Sequence, residues 1–405
     1  MDIHLGNLFG LTVIAFAVPF MLGFLPRVRV PSVVVELLAG ILFGPALLGW
    51  IEPDPVVSTM SALGVAFLLF LAGLDLDLRL VRGAPLKLGT VGFLVSLVIA
   101  VLITRPLGAN GTILSPLLIS ITLCATSVGI VMPVLRDTGQ LGSPVGQFAV
   151  AGGSVAEIGT IALLGVFFAG PEADASVGAI LFAVVAVAAL LLLITLRRAL
   201  RWRPGRRVFN RLDDTSAQMR VRFAMMMLMG AALLAASFEF EAILGTFLAG
   251  IVFGIAIRGD RFEERLRTKL EGIGFGFFVP AFFVTSGLRF YPDRLDLPDD
   301  FMRILLFLAI LLTARALPAL LYLRHLSWRE ALATGLLQAT NLPFIVVAVA
   351  VGTELGRLHE MNATALIVAG LISAVLFPAL AQWLLGTAER GRGETSAGGN
   401  LDDRF

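Results

Sequence analysis

Glu157 stands alone in an uncharged run, from Pro144 to Gly170, that is long enough to cross a bilayer. An acidic side chain at the centre of a membrane helix costs about 2.5–3.5 kcal/mol to insert, and such residues mark ion paths and proton relays. The plainer alternative is a carboxylate neutralised in place, either protonated or paired with a cation only to hold helices together. A second intramembrane charge, Arg315, lies in a stretch otherwise uncharged between Arg303 and Arg324. It is too far from either flanking arginine to snorkel easily to an interface, which favours a role in core electrostatics. Glu36, early in another apolar run, is an accessory candidate or an interfacial residue.

The chemistry these groups suit is that of a hard monovalent cation. Hard ions prefer oxygen, and a carboxylate with hydroxyls and backbone carbonyls supplies only oxygen. Ser154 and Thr160, three residues either side of Glu157, fall near the same helix face and are candidate ligands. Gly152, Gly153 and Gly159 let neighbouring backbones approach that face. Two polar interruptions offer the remaining oxygens. In one, Cys124-Ala125-Thr126-Ser127-Val128-Gly129 breaks an apolar run and brings the hydroxyls of Thr126 and Ser127; in the other, Gln338-Ala339-Thr340-Asn341-Leu342-Pro343 does the same. Pro343 removes a backbone donor and Gly129 permits unusual dihedrals, so carbonyls freed near Thr340 and Asn341 can serve as ligands. Either interruption alone reads equally as a plain kink with its hydroxyls bonded to their own helix. Together they predict two broken helices that cross. Burial and a nearby cation such as Arg315 act on the proton affinity of Glu157 in opposite directions, so proton and metal ion can compete for it.

The elements that must position these groups are membrane helices. The 405 residues are 58% hydrophobic and 15% charged, with a mean hydropathy of +0.92, which is too apolar for an ordinary soluble domain. A window of about 19 residues gives roughly thirteen candidate spans, near 6–25, 31–48, 57–75, 86–104, 112–134, 144–169, 176–196, 219–237, 240–257, 271–288, 302–323, 330–352 and 361–385. These blocks are continuous and lack the alternation of a membrane barrel. The expected fold is therefore all-α and polytopic. An odd number of spans puts the termini on opposite sides. With the N-terminus outside, about 25 basic residues fall inside and about five outside, so a cytoplasmic C-terminus in a bacterial inner or plasma membrane is expected.

The arginine-rich connection from Arg197 to Arg211 reads as a cytoplasmic linker at the lipid headgroups, not as a nucleic-acid interface. The tail 391–405 is Gly-rich and polar and is expected to be disordered. Cys124 is the single cysteine, which excludes an intrachain disulfide and a cysteine metal cluster; no cofactor is called for. The first apolar block lacks a basic leader region and a small-residue cleavage site, so it reads as a helix and not as a cleaved signal. His359-Glu360 is not followed by the second histidine of a zinc-protease helix, and the three histidines are scattered, which argues against an enzyme.

The two halves of the chain echo each other in order. Val35–Gly44 (VELLAGILFG) is echoed by Leu244–Gly254 (LGTFLAGIVFG), Gly64–Leu74 by Gly276–Leu288, and Ala125-Thr126-Ser127 by Ala339-Thr340-Asn341. Each pair is separated by an odd number of spans, so the corresponding helices run in opposite directions. This is the pattern of an inverted repeat, in which transporters place the substrate near the midplane at discontinuous helices. The expected organisation is one membrane transporter domain over 1–390, with repeat 1 near 6–169, a linking helix at 176–196 and repeat 2 near 219–385.

Several of these stretches carry a family likeness. Over nearly its full length the chain resembles the cation:proton antiporter-2 branch of the monovalent cation/proton antiporters. The likeness rests on Glu36–Pro45 (ELLAGILFGP), Leu69–Asp77 (LFLAGLDLD), Ala125-Thr126-Ser127 and Phe282–Leu288 (FFVTSGL). The resemblance implies a sodium/proton antiporter-like fold, a homodimer, a core domain containing the crossed helices and an elevator-like movement of that core. It places Glu157 at the ion-binding carboxylate and Arg315 at a position often held by lysine or arginine. Relatives usually carry Asp-Asp, Asn-Asp or Gln-Asp where this chain has Ala156-Glu157. With one titratable group left, the expected activity is electroneutral exchange of Na+ or K+ for H+. No G-x-G-x-x-G pattern follows the last span, unlike the nucleotide-binding domain fused to potassium-efflux relatives. Two other readings of the same polar path are a cation efflux channel and a carrier of a small organic anion, which Glu157 would repel unless protonated.

Overall fold

The computed structural model describes residues 5–24, 31–75, 83–137, 139–168, 215, 217–237, 242–258, 263–290 and 299–397. All regular structure among them is helical. In chain order the helices are α1 (Leu5–Gly23), α2 (Ser32–Phe43), α3 (Pro55–Asp75), α4 (Ala84–Ala109), α5 (Pro116–Leu123), α6 (Val128–Asp137) and α7 (Pro144–Phe168). Then follow α8 (Met219–Ser237), α9 (Ala242–Ile257), α10 (Glu263–Leu288, with a π-helical stretch at Gly274–Phe278) and α11 (Asp299–Ala316, tightening to 3-10 turns over Leu317–Arg324). The last are α12 (Trp328–Gln338), α13 (Pro343–Glu354) and α14 (Glu360–Ala397).

Twelve of the expected spans carry helix, and the linking helix at 176–196 lies outside the described residues. Eight helical stretches among the described residues are long and apolar enough to cross a membrane. The expected tail is corrected in part: α14 runs on to Ala397, so helix continues past Gly391, and 398–405 lie outside the described residues. The span expected at 271–288 begins earlier, because the charged segment Glu263–Ile273 precedes it as helix.

Chain breaks and starts follow local chemistry. Asp54 accepts a hydrogen bond from the Val57 backbone N–H (2.8 Å) and so starts α3. Ser327 and Glu330 form a capping box that starts α12, the Ser327 N–H donating to the Glu330 carboxylate at 2.8 Å. Pro116 opens α5 and Pro343 opens α13, where the missing N–H of proline is not needed.

The chain divides into two compact units, each drawn from both halves of the sequence. One takes Met1–Leu76 and Ile161–Pro292; the other takes Asp77–Thr160 and Asp293–Phe405. In the first unit, α2 packs on the end of α10 and α9 packs on α3. A Cβ on Gly40 would overlap the Val284 carbonyl oxygen, and one on Gly250 would overlap the Phe70 carbonyl oxygen. Gly287 and Gly73 complete these contacts against the Leu37 and Phe247 carbonyls. The two crossings therefore match residue for residue along the echoed segments. Each uses a G-x-x-x-G pair, Gly40 with Gly44 and Gly250 with Gly254, which lets helix backbones come into contact.

The second unit contains the two broken helices. In the span Trp328–Glu354, 83% of the residues in its most apolar 18-residue stretch are buried, against 17% for α1. Irregular backbone is tolerated at membrane depth only where protein or a water-filled cavity surrounds it, and this span meets the first condition.

Candidate functional site

The site is built where the breaks meet. α5 ends at Leu123 and α6 starts at Val128; α12 ends at Gln338 and α13 starts at Pro343. Residues 124–127 and 339–342 are buried in between. The two broken helices bond to each other at three points around their breaks. The Ser127 N–H donates to the Thr340 carbonyl (2.9 Å), the Thr126 hydroxyl donates to the Gln338 carbonyl (2.5 Å), and the Asn341 amide donates to the Thr122 carbonyl (2.8 Å). Backbone groups freed by one break are thus satisfied by the other, which is why a doubly broken arrangement can persist in an apolar surrounding.

Glu157 reaches this meeting point from α7. Its Oε1 accepts a hydrogen bond from the Val128 backbone N–H at 2.8 Å, and the residue is buried. Val128 is the first residue of α6, so the carboxylate caps the positive end of that half-helix, where an anion is favoured. Close approach of α7 depends on its glycines: a Cβ on Gly153 would stand 2.8 Å from Val128 Cγ2, and one on Gly152 would overlap the Gln338 amide nitrogen. Ser154 is buried on the same helix, three residues before Glu157, and Thr160 donates to the Ile121 carbonyl (3.4 Å). Ala156, beside Glu157, is fully buried.

Arg315 is also fully enclosed, 2% exposed, and its donors go to neutral oxygens. Nε donates to the Gln338 carbonyl (3.2 Å), Nη1 to the Ser96 hydroxyl (3.2 Å) and Nη2 to the Thr126 hydroxyl (2.6 Å). The expectation that put Arg315 directly beside Glu157 is refined by this geometry. The guanidinium sits at the carbonyl end of α12, where a cation is favoured, and meets the first break at Thr126, two residues from the N–H that Glu157 accepts. Gln338 is fixed in turn, its amide donating to the Phe148 carbonyl (3.0 Å) and to the Tyr322 hydroxyl (3.1 Å).

Asn341 has a different standing from its neighbours. Its amide nitrogen is committed to the Thr122 carbonyl and its backbone N–H to the Ser373 hydroxyl (3.2 Å), while its Oδ1 is buried without a hydrogen-bond partner. A buried oxygen left open in this way is a ready cation ligand.

The structure therefore gathers Glu157, Thr126, Ser127, Thr340, Asn341 and Arg315 around one point, with Ser154 a turn away on α7. Pro343 opens the second half-helix. Gly129 lies inside α6, carries no positive φ and has room for a Cβ, so the break falls upstream at 124–127 and does not need its glycine. Glu36 belongs to the other unit. Ser96 was not singled out from sequence, since a serine in an apolar helix ordinarily bonds its own backbone, as this one also does to the Gly92 carbonyl (2.8 Å). Gln338 carried a usable signal as the amide ending an apolar run.

Comparisons with known proteins agree on one class. Residues 12–386 match the family model described as sodium/hydrogen exchanger, transmembrane. The putative Na(+)/H(+) antiporter YjbQ of Bacillus subtilis is 25% identical over 384 residues, covering 90% of this chain and 61% of that protein, so the chain spans less than two thirds of its length. The Na(+)/H(+)-K(+) antiporter GerN of Bacillus cereus is 25% identical, covering 90% of this chain and 92% of its own. Among solved structures, the sodium proton antiporter MjNhaP1 of Methanocaldococcus jannaschii shares the fold, with a TM-score of 0.68 at 18% identity over 95% of this chain and 97% of that one.

Proposed function

This chain belongs to the sodium/hydrogen exchanger family, and from that premise we propose that it exchanges a monovalent cation, Na+ or K+, for H+ across the membrane by alternating access, with Glu157 serving both ions in turn. The observation that carries the reading is the Glu157 carboxylate, buried and held at 2.8 Å on the first N–H of α6, beside a second broken helix. A carboxylate so placed has one oxygen committed to the backbone and lies among hydroxyls and carbonyls, the donor set of a hard cation. Thr126, Ser127, Ser154 and the open oxygen of Asn341 are the proposed neighbours of the ion. Arg315 is the proposed fixed positive charge, neutralising the carbonyl ends that meet there.

Exchange requires that only an occupied carrier moves its site across the membrane, either with a proton or with a metal ion on Glu157. Deprotonation creates the ligand, and metal release restores the acid. One carboxylate exchanging one for one makes the cycle electroneutral. The same reading includes a homodimer with an external N-terminus and a cytoplasmic C-terminus, which cross-linking and accessibility labelling test.

The decisive experiment is collapse of a preset pH gradient in proteoliposomes on addition of sodium, potassium or lithium, comparing wild type with Glu157→Gln. Wild type should move protons only when a counter-cation is supplied, without sustained current, and the glutamine variant should be inert. Proton movement by Glu157→Gln at the wild-type rate would end the proposal. Flux of one ion without the other would favour a channel.

A further inference from the structure

Glu36 is a second buried acid, and the exchange site does not use it. It lies on α2, in the unit that does not contain Glu157, and is 3% exposed. Its Oε2 is buried with no hydrogen-bond partner. Glu36 lines a half-open cavity of about 280 Å³ between α1, α2 and the π-helical stretch of α10. It is lined by Phe16, Phe275 and Phe277 together with Thr12 and Ser32. Phe16 and Phe275 are 68% and 49% exposed, so the cavity is open at the surface of this unit. A π-helical interruption is itself a feature that recurs at functional sites.

A buried carboxylate needs a cation or a proton, and among the described residues no protein cation lines the space it faces. The shape of the cavity decides which kind of cation fits. A stripped alkali ion would find one carboxylate and two hydroxyls, of which Thr12 already donates to the Phe9 carbonyl at 2.7 Å. That is a thin shell of oxygens in a space many times the ion's size. Aromatic faces around a single acid suit a larger monocation, whose charge meets the carboxylate while its apolar part lies on the rings.

We propose that the Glu36 cavity is a binding site for a small organic ammonium ion, separate from the exchange site at Glu157. The ammonium pairs with the Glu36 carboxylate, Thr12 and Ser32 accept further N–H bonds, and the three phenylalanines hold the apolar body.

Equilibrium binding of radiolabelled benzylammonium to the purified full-length chain tests this, with benzyl alcohol as the uncharged competitor of the same shape. Wild type should bind benzylammonium saturably, benzyl alcohol should compete at least tenfold less well, and Glu36→Gln should weaken binding at least tenfold. Glu157→Gln should bind as wild type does, which separates this site from the exchange site whether or not Glu157 carries exchange. Phe16→Ala, at an exposed position that leaves the fold intact, should weaken binding several-fold and decides the matter if Glu36→Gln does not fold. Absence of saturable binding, equal competition by benzyl alcohol, unchanged affinity in the folded variants, or loss of binding in Glu157→Gln would each overturn the proposal.

Discussion

Thr126 separates two ways in which the meeting of the breaks could be held. Its hydroxyl receives the Arg315 Nη2 donor at 2.6 Å and donates to the Gln338 carbonyl at 2.5 Å, while its methyl lies 3.3 Å from where a Cβ on Gly153 would stand. Valine keeps the volume and deletes both bonds; serine keeps both bonds and deletes the methyl. Side-chain hydrogen bonds between membrane helices average about 0.6 kcal/mol and reach about 1.7 kcal/mol. The bond from the guanidinium is charge-assisted and belongs at the upper end. The Gln338 carbonyl still has Arg315 Nε at 3.2 Å after the change, so no orphan acceptor is added there. Thr126→Val should then cost about 2 kcal/mol. Thr126→Ser should cost about 0.8 kcal/mol for one buried methyl.

The ordering is the test. Thermal denaturation of the full chain in detergent should place serine between wild type and valine, and proteoliposome exchange should survive in the serine variant but fall steeply in the valine one. If valine proves as stable and as active as serine, Thr126 is present for its volume. The network joining Arg315 to the first break would then have no part in holding the site.

Three further outcomes follow from the same contacts. Gly40→Ala and Gly250→Ala each place a methyl on a facing carbonyl oxygen, and each should lower stability by about 1–3 kcal/mol; similar losses in the two variants, read by melting, check that the crossings are equivalent. Glu157→Gln retains an acceptor for the Val128 N–H whereas Glu157→Ala leaves that buried donor unmet, so alanine should be the less stable of the two by about 1–3 kcal/mol although neither exchanges ions. Asn341→Ala removes the open oxygen and should raise the half-saturating cation concentration about tenfold, equivalent to about 1.4 kcal/mol, in the pH-gradient collapse assay; an unchanged value removes Asn341 from the ion's neighbours.

How much of this was legible in the sequence depends on the kind of interaction. Long apolar runs fix helices, because a bilayer leaves the backbone no other way to bond itself, and the polar interruptions at 124–129 and 338–343 located both breaks. Their exact ends were not legible. Gly129 looked like the weak point of its helix, yet the chain departs from helix just before it, because the Ser127 N–H finds a better-placed acceptor at Thr340 than any within its own turn. The environment of Arg315 was harder still. Pairing it with Glu157 is reasonable along the sequence, but Ser96 is 219 residues away and Thr126 is 189 residues away, and only the packed unit brings them together. The surroundings of Glu36 were out of reach for the same reason, since the cavity beside it takes Phe275 and Phe277 from the far half of the chain.

The placement of the two buried charges gives a physical reason for the proposed one-for-one cycle. Each charge lies at the half-helix end of opposite sign, Glu157 at the N–H end of α6 and Arg315 at the carbonyl end of α12, where a helix terminus carries about half an elementary charge. With Glu157 ionised the pair sums to zero. A proton on Glu157 leaves one net positive charge at the site, and a monovalent cation on the ionised carboxylate leaves the same. The two loaded states then present equal charge, and the outward and inward steps cancel. A second acid at position 156 would break that equality, because two carboxylates can release two protons against one cation. In the proposed cycle Ala156, fully buried and unable to titrate, keeps the two states alike.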